Sequence, residues 1–372
     1  MKKRLLRAVA VAAALVLFSS FSPARALGLS AEHAILMDAG SGRVLYEKNA
    51  DSRSLIASTT KIMTALVICE QCNVLDRVQI MPEAVGIEGS SMYLQAGEVL
   101  TVQELLYGLM LQSGNDAAVA LAIYCGGTVE GFAQLMNDEA RRIGLTGTHF
   151  ENPNGLDHEN HYSTARDLAK LTAYAMENEI FAKTVSTKSI QVGGRSLTNH
   201  NKLLWRYEGA DGVKTGYTKA AGRILVSSAT RDGLTLIAVV LGSPSSADRF
   251  HSATTLLDYG FANYAAAPLP TLPERPLALA VKGSAEDSVP LDYAALPETI
   301  LIEKGTASAL RAELTLPEAL EAPVEKGRTV GKVSIFQDDT LLNEYEVKAA
   351  ADAPLLTFGG ALELLWQCLL GA

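Results

Sequence analysis

Between Leu27 and Ala267 the spacing of apolar positions changes twice. Ala34–Asp38 and Arg43–Glu47 are short runs on either side of Ala39-Gly40-Ser41-Gly42, which predicts a β-hairpin with a glycine-rich turn. From Ser58 to Glu179 apolar residues recur at helical spacing. The expected helices are one opening at Ser58 (Ile62, Met63, Ala65, Leu66, Val67, Ile68), then Val102–Leu111, Ala117–Tyr124, Phe132–Ile143 and Thr164–Met176. Arg141, Arg142 and Gly144 form a basic, glycine-capped end for the fourth of these. Gln112-Ser113-Gly114-Asn115-Asp116 is a polar turn between two apolar helices, and 151–156 reads as a loop. Strand patterns return at Ser189–Val192, Gly212–Thr218, Arg223–Ala229 and Leu234–Leu241, the last two joined by Arg231-Asp232-Gly233. A helix over Ala247–Tyr259, ending near Gly260, completes the segment. Strands early, helices inserted and strands late predict an α/β (α+β) domain with an antiparallel sheet and a helical lobe.

The stretch 268–276, with four prolines from Pro268 to Pro276, reads as a stiff linker. Beyond it, 277–350 carries short alternating strands such as Leu310–Leu316 and Thr329–Ile335, which predicts a small all-β domain with no catalytic cluster. The tail 351–372 is apolar (Leu355, Leu356, Phe358, Leu362, Leu364, Leu365, Trp366, Leu369, Leu370) but short and interrupted by Gly359, Gly360 and Glu363. It falls short of a confident transmembrane span and leaves two readings, a membrane-interface anchor or a segment packed on protein. At the other end, basic Met1–Arg7, apolar Ala8–Phe18 and Ala24-Arg25-Ala26 spell a secretory signal over 1–26, with a retained N-terminal anchor as the alternative. The chain is therefore expected to be exported and to work outside the cytoplasm, at the cytoplasmic membrane or cell wall, with 27–267 as its main domain.

Composition removes several classes. With 48% hydrophobic and 20% charged residues in 372, the chain is globular rather than disordered. A net charge of −9 argues against nucleic acid as a partner, since phosphate binding needs a basic surface. Cys69, Cys72, Cys125 and Cys368 are too few for a disulfide-built fold. Cys69-Glu70-Gln71-Cys72 spells C-x-x-C, yet it closes a helix and has no second pair for zinc, and a disulfide from that neighbourhood to Cys125 stays open. His158 and His161 flank a polar loop with no carboxylate at metal spacing and read as surface residues. No metal or cofactor is expected.

Chemistry enters at Ser58-Thr59-Thr60-Lys61. Residues three apart on a helix share a face, so the Lys61 amine can reach the Ser58 hydroxyl and activate it. Alone the tetrad carries little, because a serine N-cap followed by a solvated lysine gives the same letters. Two later motifs, Ser113-Gly114-Asn115 and Lys214-Thr215-Gly216, give it a context. A base must be neutral to accept the Ser58 proton, and burial beside a second cation, Lys214, would depress the Lys61 pKa. Ser113 can relay that proton to a leaving amine, and the Asn115 amide can hold substrate backbone. Lys214 and the Thr215 hydroxyl suit a terminal carboxylate, while Gly216 leaves room for an extended substrate along the strand. The Ser58 and Tyr217 N–H groups are the natural oxyanion donors.

In order and context these motifs resemble the active-site set of penicillin-binding proteins and serine β-lactamases. With Phe150–Leu156, Asn199–Trp205 and Asp211–Thr218 added, nearly the whole chain resembles the D-alanyl-D-alanine carboxypeptidases, low-molecular-mass penicillin-binding proteins of serine peptidase family S11. The resemblance implies a transpeptidase-type domain plus a small β domain, Ser58, Lys61 and Ser113 as catalytic residues, and Asn115, Lys214, Thr215, Gly216, Tyr217 and Arg249 as substrate-binding ones. It implies the D-Ala-D-Ala end of a peptidoglycan stem peptide as substrate, β-lactams as covalent inhibitors, and a role in cell-wall biogenesis. Two rivals remain: a class A β-lactamase with Glu151 activating water, and a non-enzymatic peptidoglycan-binding protein on a dead fold.

Overall fold

The structure, a computed structural model, describes residues 27–272, 274–306 and 310–370. The secretory signal expected over 1–26 lies outside them. The chain divides into two compact units, one ending at Ala262 and the next beginning at Asn263.

The first unit is built on a five-stranded antiparallel sheet made of β1 (His33–Asp38), β2 (Val44–Lys48), β7 (Ala210–Thr218), β8 (Gly222–Arg231) and β9 (Leu234–Ser243). Their order across the sheet is β2-β1-β9-β8-β7. β9 is central because Leu234–Leu241 is apolar on both faces, and its Val239 sits opposite Ile35 of β1 and Val226 of β8. The β8–β9 turn needs two residues at positive φ, and Asp232 (φ 49°) with Gly233 (φ 80°) supply them. β7 is left as an edge strand.

Between β2 and β7 the helical lobe is inserted: α1 (Lys61–Gln71), α2 (Val102–Leu111), α3 (Asn115–Gly126), α4 (Val129–Ile143), α5 (Ala165–Met176), α6 (Glu179–Ser186) and the short α7 (Leu203–Arg206). Every residue of α1 from Lys61 to Ile68 is buried, the mark of a helix enclosed on all sides. α2 starts in a reciprocal Thr101–Glu104 capping box, and α4 ends at Gly144 in the left-handed region (φ 78°).

Some elements were not legible. The small ladder β3 (Arg77–Gln79) with β4 (Val99–Thr101) is too short to show a period, as is β6 (Arg195–Thr198), the partner of the expected strand β5 (Ser189–Val192), and α6, capped by the Asn178 side chain, has only eight residues. The helix expected to stop near Gly260 runs through it: α8 spans Ser246–Asn263. Gly260 is there for packing, since a Cβ would lie 2.4 Å from Leu236 Cδ1 and 3.0 Å from Leu36 Cδ2. His161, read as a surface residue, is buried. Cys69, Cys72 and Cys125 are free thiols against the core, and burial followed by Glu70 pushes Cys69 up to about 12, so it is no nucleophile at neutral pH.

The second unit is a small β domain followed by a helix. Its main sheet is made of β11 (Ala278–Lys282), β12 (Ser288–Asp292), β14 (Leu310–Thr315), β15 (Leu320–Glu321), β16 (Thr329–Gln337) and β17 (Thr340–Ala349), in the order β14-β16-β17-β12-β11-β15. β10 (Tyr264–Pro268) pairs with β13 (Thr299–Glu303). That pairing moves the division upstream of the expected 267, because 264–268 is a strand of this unit. Val333, Ile335 and Val347 fill its core, and α9 (Phe358–Leu370) closes the described chain.

Candidate active site

Ser58 lies in a 3₁₀ turn, Ala57–Thr60, that runs directly into α1, and Lys61 is the first residue of that helix. The junction brings Lys61 Nζ to 3.2 Å from Ser58 Oγ, the reach that the sequence spacing predicts. Lys61 is wholly buried, and Nζ donates to Asn115 Oδ1 at 2.7 Å and to the Asn154 carbonyl at 2.5 Å. Burial first, then the Lys214 cation, drive its pKa well below the ordinary lysine value against the opposing pull of Asp116. A neutral amine has two N–H bonds and one lone pair. With both N–H groups spent on Asn115 and Asn154, the lone pair faces the Ser58 hydroxyl, which can donate to it.

The second motif sits where α2 turns into α3. Ser113 takes φ 60°, a strained value for serine, and its buried Oγ has no partner among the described residues. Asn115 and Asp116 belong to the first turn of α3 rather than to the preceding loop. The Asp116 carboxylate accepts from the Ser91 hydroxyl and the Met92 and Leu94 N–H groups, tying residues 91–94 to the helix start. Asn115 Nδ2 donates to the Glu88 carbonyl at 2.5 Å. Both ends of that amide thus have a partner within the protein, so Asn115 orients the base in addition to the substrate contact expected of it.

The loop 151–156 closes over α1. Besides Asn154 for Lys61, it offers the Pro153 carbonyl to Thr64 Oγ1 at 2.6 Å. The buried His161 receives the Glu151 N–H at Nδ1 and bonds Thr60 Oγ1 through Nε2 at 2.7 Å. Burial lowers its pKa to about 4, so it is a neutral clamp. Gly155 (φ 85°) lies so close to the nucleophile's turn that a Cβ would be 1.9 Å from the Ala57 carbonyl oxygen. Gly155→Ala is therefore expected to destabilise the protein by about 2 kcal/mol or more, measured as a lowered urea midpoint, and to lower activity with it.

A cleft of about 540 Å³ opens above these groups, lined by Ser58, Ser113, Thr215, Gly216, Tyr217 and Arg249 together with Thr198, His200, Lys202 and Arg223. Gly216 brings the β7 edge against the Ser58 turn, since a Cβ there would sit 3.2 Å from the Ile56 carbonyl oxygen. Lys214 lies beneath the wall, buried, with Nζ donating to the Thr215 carbonyl at 3.0 Å. Its own burial and then Arg249 lower its pKa to about 7. Arg249 reaches in from α8 and donates to the Gly216 and Ile224 carbonyls. Glu151 does not line the cleft, and its carboxylate stands 3.5 Å from His149 Nδ1.

A serine on a turn into a buried helix, a buried lysine at its hydroxyl, a second serine across a cleft and a Lys-Thr-Gly edge strand define a penicillin-binding, serine acyl-transferring protein. Residues 20–245 match the D-alanyl-D-alanine carboxypeptidase family, peptidase S11, and 277–354 match the penicillin-binding protein 5 C-terminal domain. The chain belongs to the D-alanyl-D-alanine carboxypeptidase family. It is 35% identical over 346 residues to D-alanyl-D-alanine carboxypeptidase DacF of Bacillus subtilis (strain 168), covering 89% of each chain. Among solved structures it resembles penicillin binding protein 5 from Haemophilus influenzae (TM-score 0.77, 33% identity, 90% of this chain and 100% of that one). It also resembles the Streptomyces K15 DD-transpeptidase (TM-score 0.61, 40% identity, 63% and 98%).

Proposed function

We propose that this protein is a serine-type D-Ala-D-Ala carboxypeptidase that removes the terminal D-alanine of peptidoglycan pentapeptides through an acyl-enzyme at Ser58. The observation that carries the reading is the buried Lys61 amine, with two acceptors satisfied and Ser58 Oγ at 3.2 Å. Ser58 Oγ attacks the carbonyl between the two D-alanines while Lys61 takes its proton. Collapse of the tetrahedral intermediate breaks the C–N bond, and Ser113, whose Oγ is unpartnered among the described residues, passes its proton to the departing amine while taking back the one that Lys61 removed from Ser58. The Thr215 hydroxyl and the Arg249 guanidinium on the cleft wall suit the carboxylate of the leaving D-alanine. Water then cleaves the ester. A β-lactam enters the same sequence but keeps its leaving group attached, so it stays as an adduct. Glu151, turned to His149, is badly oriented for the water-activating role of a β-lactamase.

The test is release of free D-alanine from a diacyl-Lys-D-Ala-D-Ala peptide, with Ser58→Ala as control. Equal release by both proteins would contradict the reading.

The enzyme is taken to act outside the cytoplasm at a membrane surface. What supports the membrane surface is α9, where Phe358, Leu362, Leu365, Trp366 and Leu369 form one exposed apolar stripe, Phe358 being 85% and Trp366 63% accessible. No described helix is long and apolar enough to cross a membrane by itself. A chain ending at Thr357 is expected to lose sedimentation with lipid vesicles while releasing D-alanine at the full-length rate. Equal sedimentation of the two chains would remove the helix from this role.

A further inference from the structure

One cation of the cleft has no part in the chemistry above. Arg223, near the start of β8, is the register partner of Tyr217 on β7. Its guanidinium stacks on the Tyr217 ring, 3.6 Å from the centroid. Tyr217 is 51% exposed, so the pair forms part of the cleft wall and not of the core. Stacking uses the flat face of a guanidinium and leaves its N–H edge available. Among the described residues no carboxylate forms an ion pair with Arg223 or with Arg249.

The surroundings make that edge an anion receptor. The residues lining the cleft include Arg223, Arg249, Lys202 and His200 and no Asp or Glu, in a chain whose net charge is −9. Arg249 spends one Nη on two carbonyls, and its buried Nε has no partner among the described residues. It is 8% exposed, against the half-open Arg223. After burial, Arg223 is the cause that lowers Arg249 to about 10, so the two charges act on each other across the cleft. Like charges that face one cavity repel, and an anion received between them relieves both.

We propose that Arg223, braced on Tyr217, is a second carboxylate-binding residue that joins Arg249 in receiving the free C-terminal carboxylate of the substrate and so selects carboxylate-ended peptides over neutral ones. The proposal rests on the carboxypeptidase reading of the cleft. Arg249 is the inner, largely committed guanidinium. Arg223 is the outer one, whose planar fork meets a carboxylate at the mouth.

The test uses two activated acyl-D-alanyl thioesters that differ only in the leaving group, thioglycolate in one and thioglycolamide in the other, with thiol release followed by absorbance. The full chain and its Arg223→Gln and Arg223→Lys variants are compared by the ratio of kcat/KM for the two substrates, in which the fraction of folded enzyme cancels. Loss of one charge-assisted contact predicts a roughly tenfold fall of that ratio in Arg223→Gln, carried by KM, with Arg223→Lys between that variant and the parent. An unchanged ratio in Arg223→Gln, including the case where both substrates slow alike through a packing defect at Tyr217, overturns the assignment and leaves the carboxypeptidase reading standing. A parent enzyme that releases neither thiol, nor D-alanine from the peptide, overturns both.

Discussion

Ser58→Ala is expected to lower D-alanine release by about 10⁴-fold or more and to abolish covalent uptake of penicillin, because no other group in the cleft can form the ester. Ser113, another serine of the cleft, has a buried hydroxyl with no partner among the described residues, and none of those residues gives it an amine at hydrogen-bond distance as Lys61 gives Ser58. The alanine removes only a hydroxyl from the 3₁₀ turn, whose backbone is held by the Thr59 N–H to the Ile56 carbonyl and by Thr60 on His161. The variant is therefore expected to fold and to melt near the parent temperature, which separates lost chemistry from lost structure. Persistent release at a tenth of the parent rate would rule Ser58 out as the nucleophile.

Lys61→Met is expected to slow acylation about 10³-fold, since it removes the base while keeping an unbranched chain in the same channel. In the parent enzyme the acylation rate should rise with pH through the lowered Lys61 pKa, because only the unprotonated amine accepts the Ser58 proton. Burial is the larger cause of that lowering and the Lys214 cation the next. Replacing Lys214 by Gln takes away a positive neighbour, makes protonation of Lys61 easier and raises its pKa. The acid limb of the acylation profile should then move to higher pH, read from stopped-flow penicillin acylation between about pH 5 and about pH 9. A limb that stays in place, or moves down, would disconnect Lys214 from the base.

Much of this was legible from the sequence because the elements that carry the site are strongly patterned. Val102–Leu111 appears in the structure with the bounds its apolar spacing predicts, and the Leu234–Leu241 run became the central strand because it is apolar on both faces. Ser58 and Lys61 were found by local spacing, which a turn-to-helix junction preserves. Contacts made by long-range folding were hidden. Nothing near Asn115 announces that its amide will be shared by Lys61, 54 positions away, and Glu88. His161 shows no sign in its neighbours that Thr60 will bury it. Gly260 imitated a helix stop, when its missing side chain serves the helix-to-sheet contact. Arg223 looks like any strand-end arginine until β7 and β8 set it on Tyr217 at the cleft.

The measurement that bears most directly on the account is intact-mass and peptide mapping of the protein after brief exposure to penicillin. The account predicts one adduct per chain, on the peptide containing Ser58, that persists while excess drug is removed and disappears in Ser58→Ala. An adduct on another residue, or free drug hydrolysed rapidly with none retained at Ser58, would contradict it.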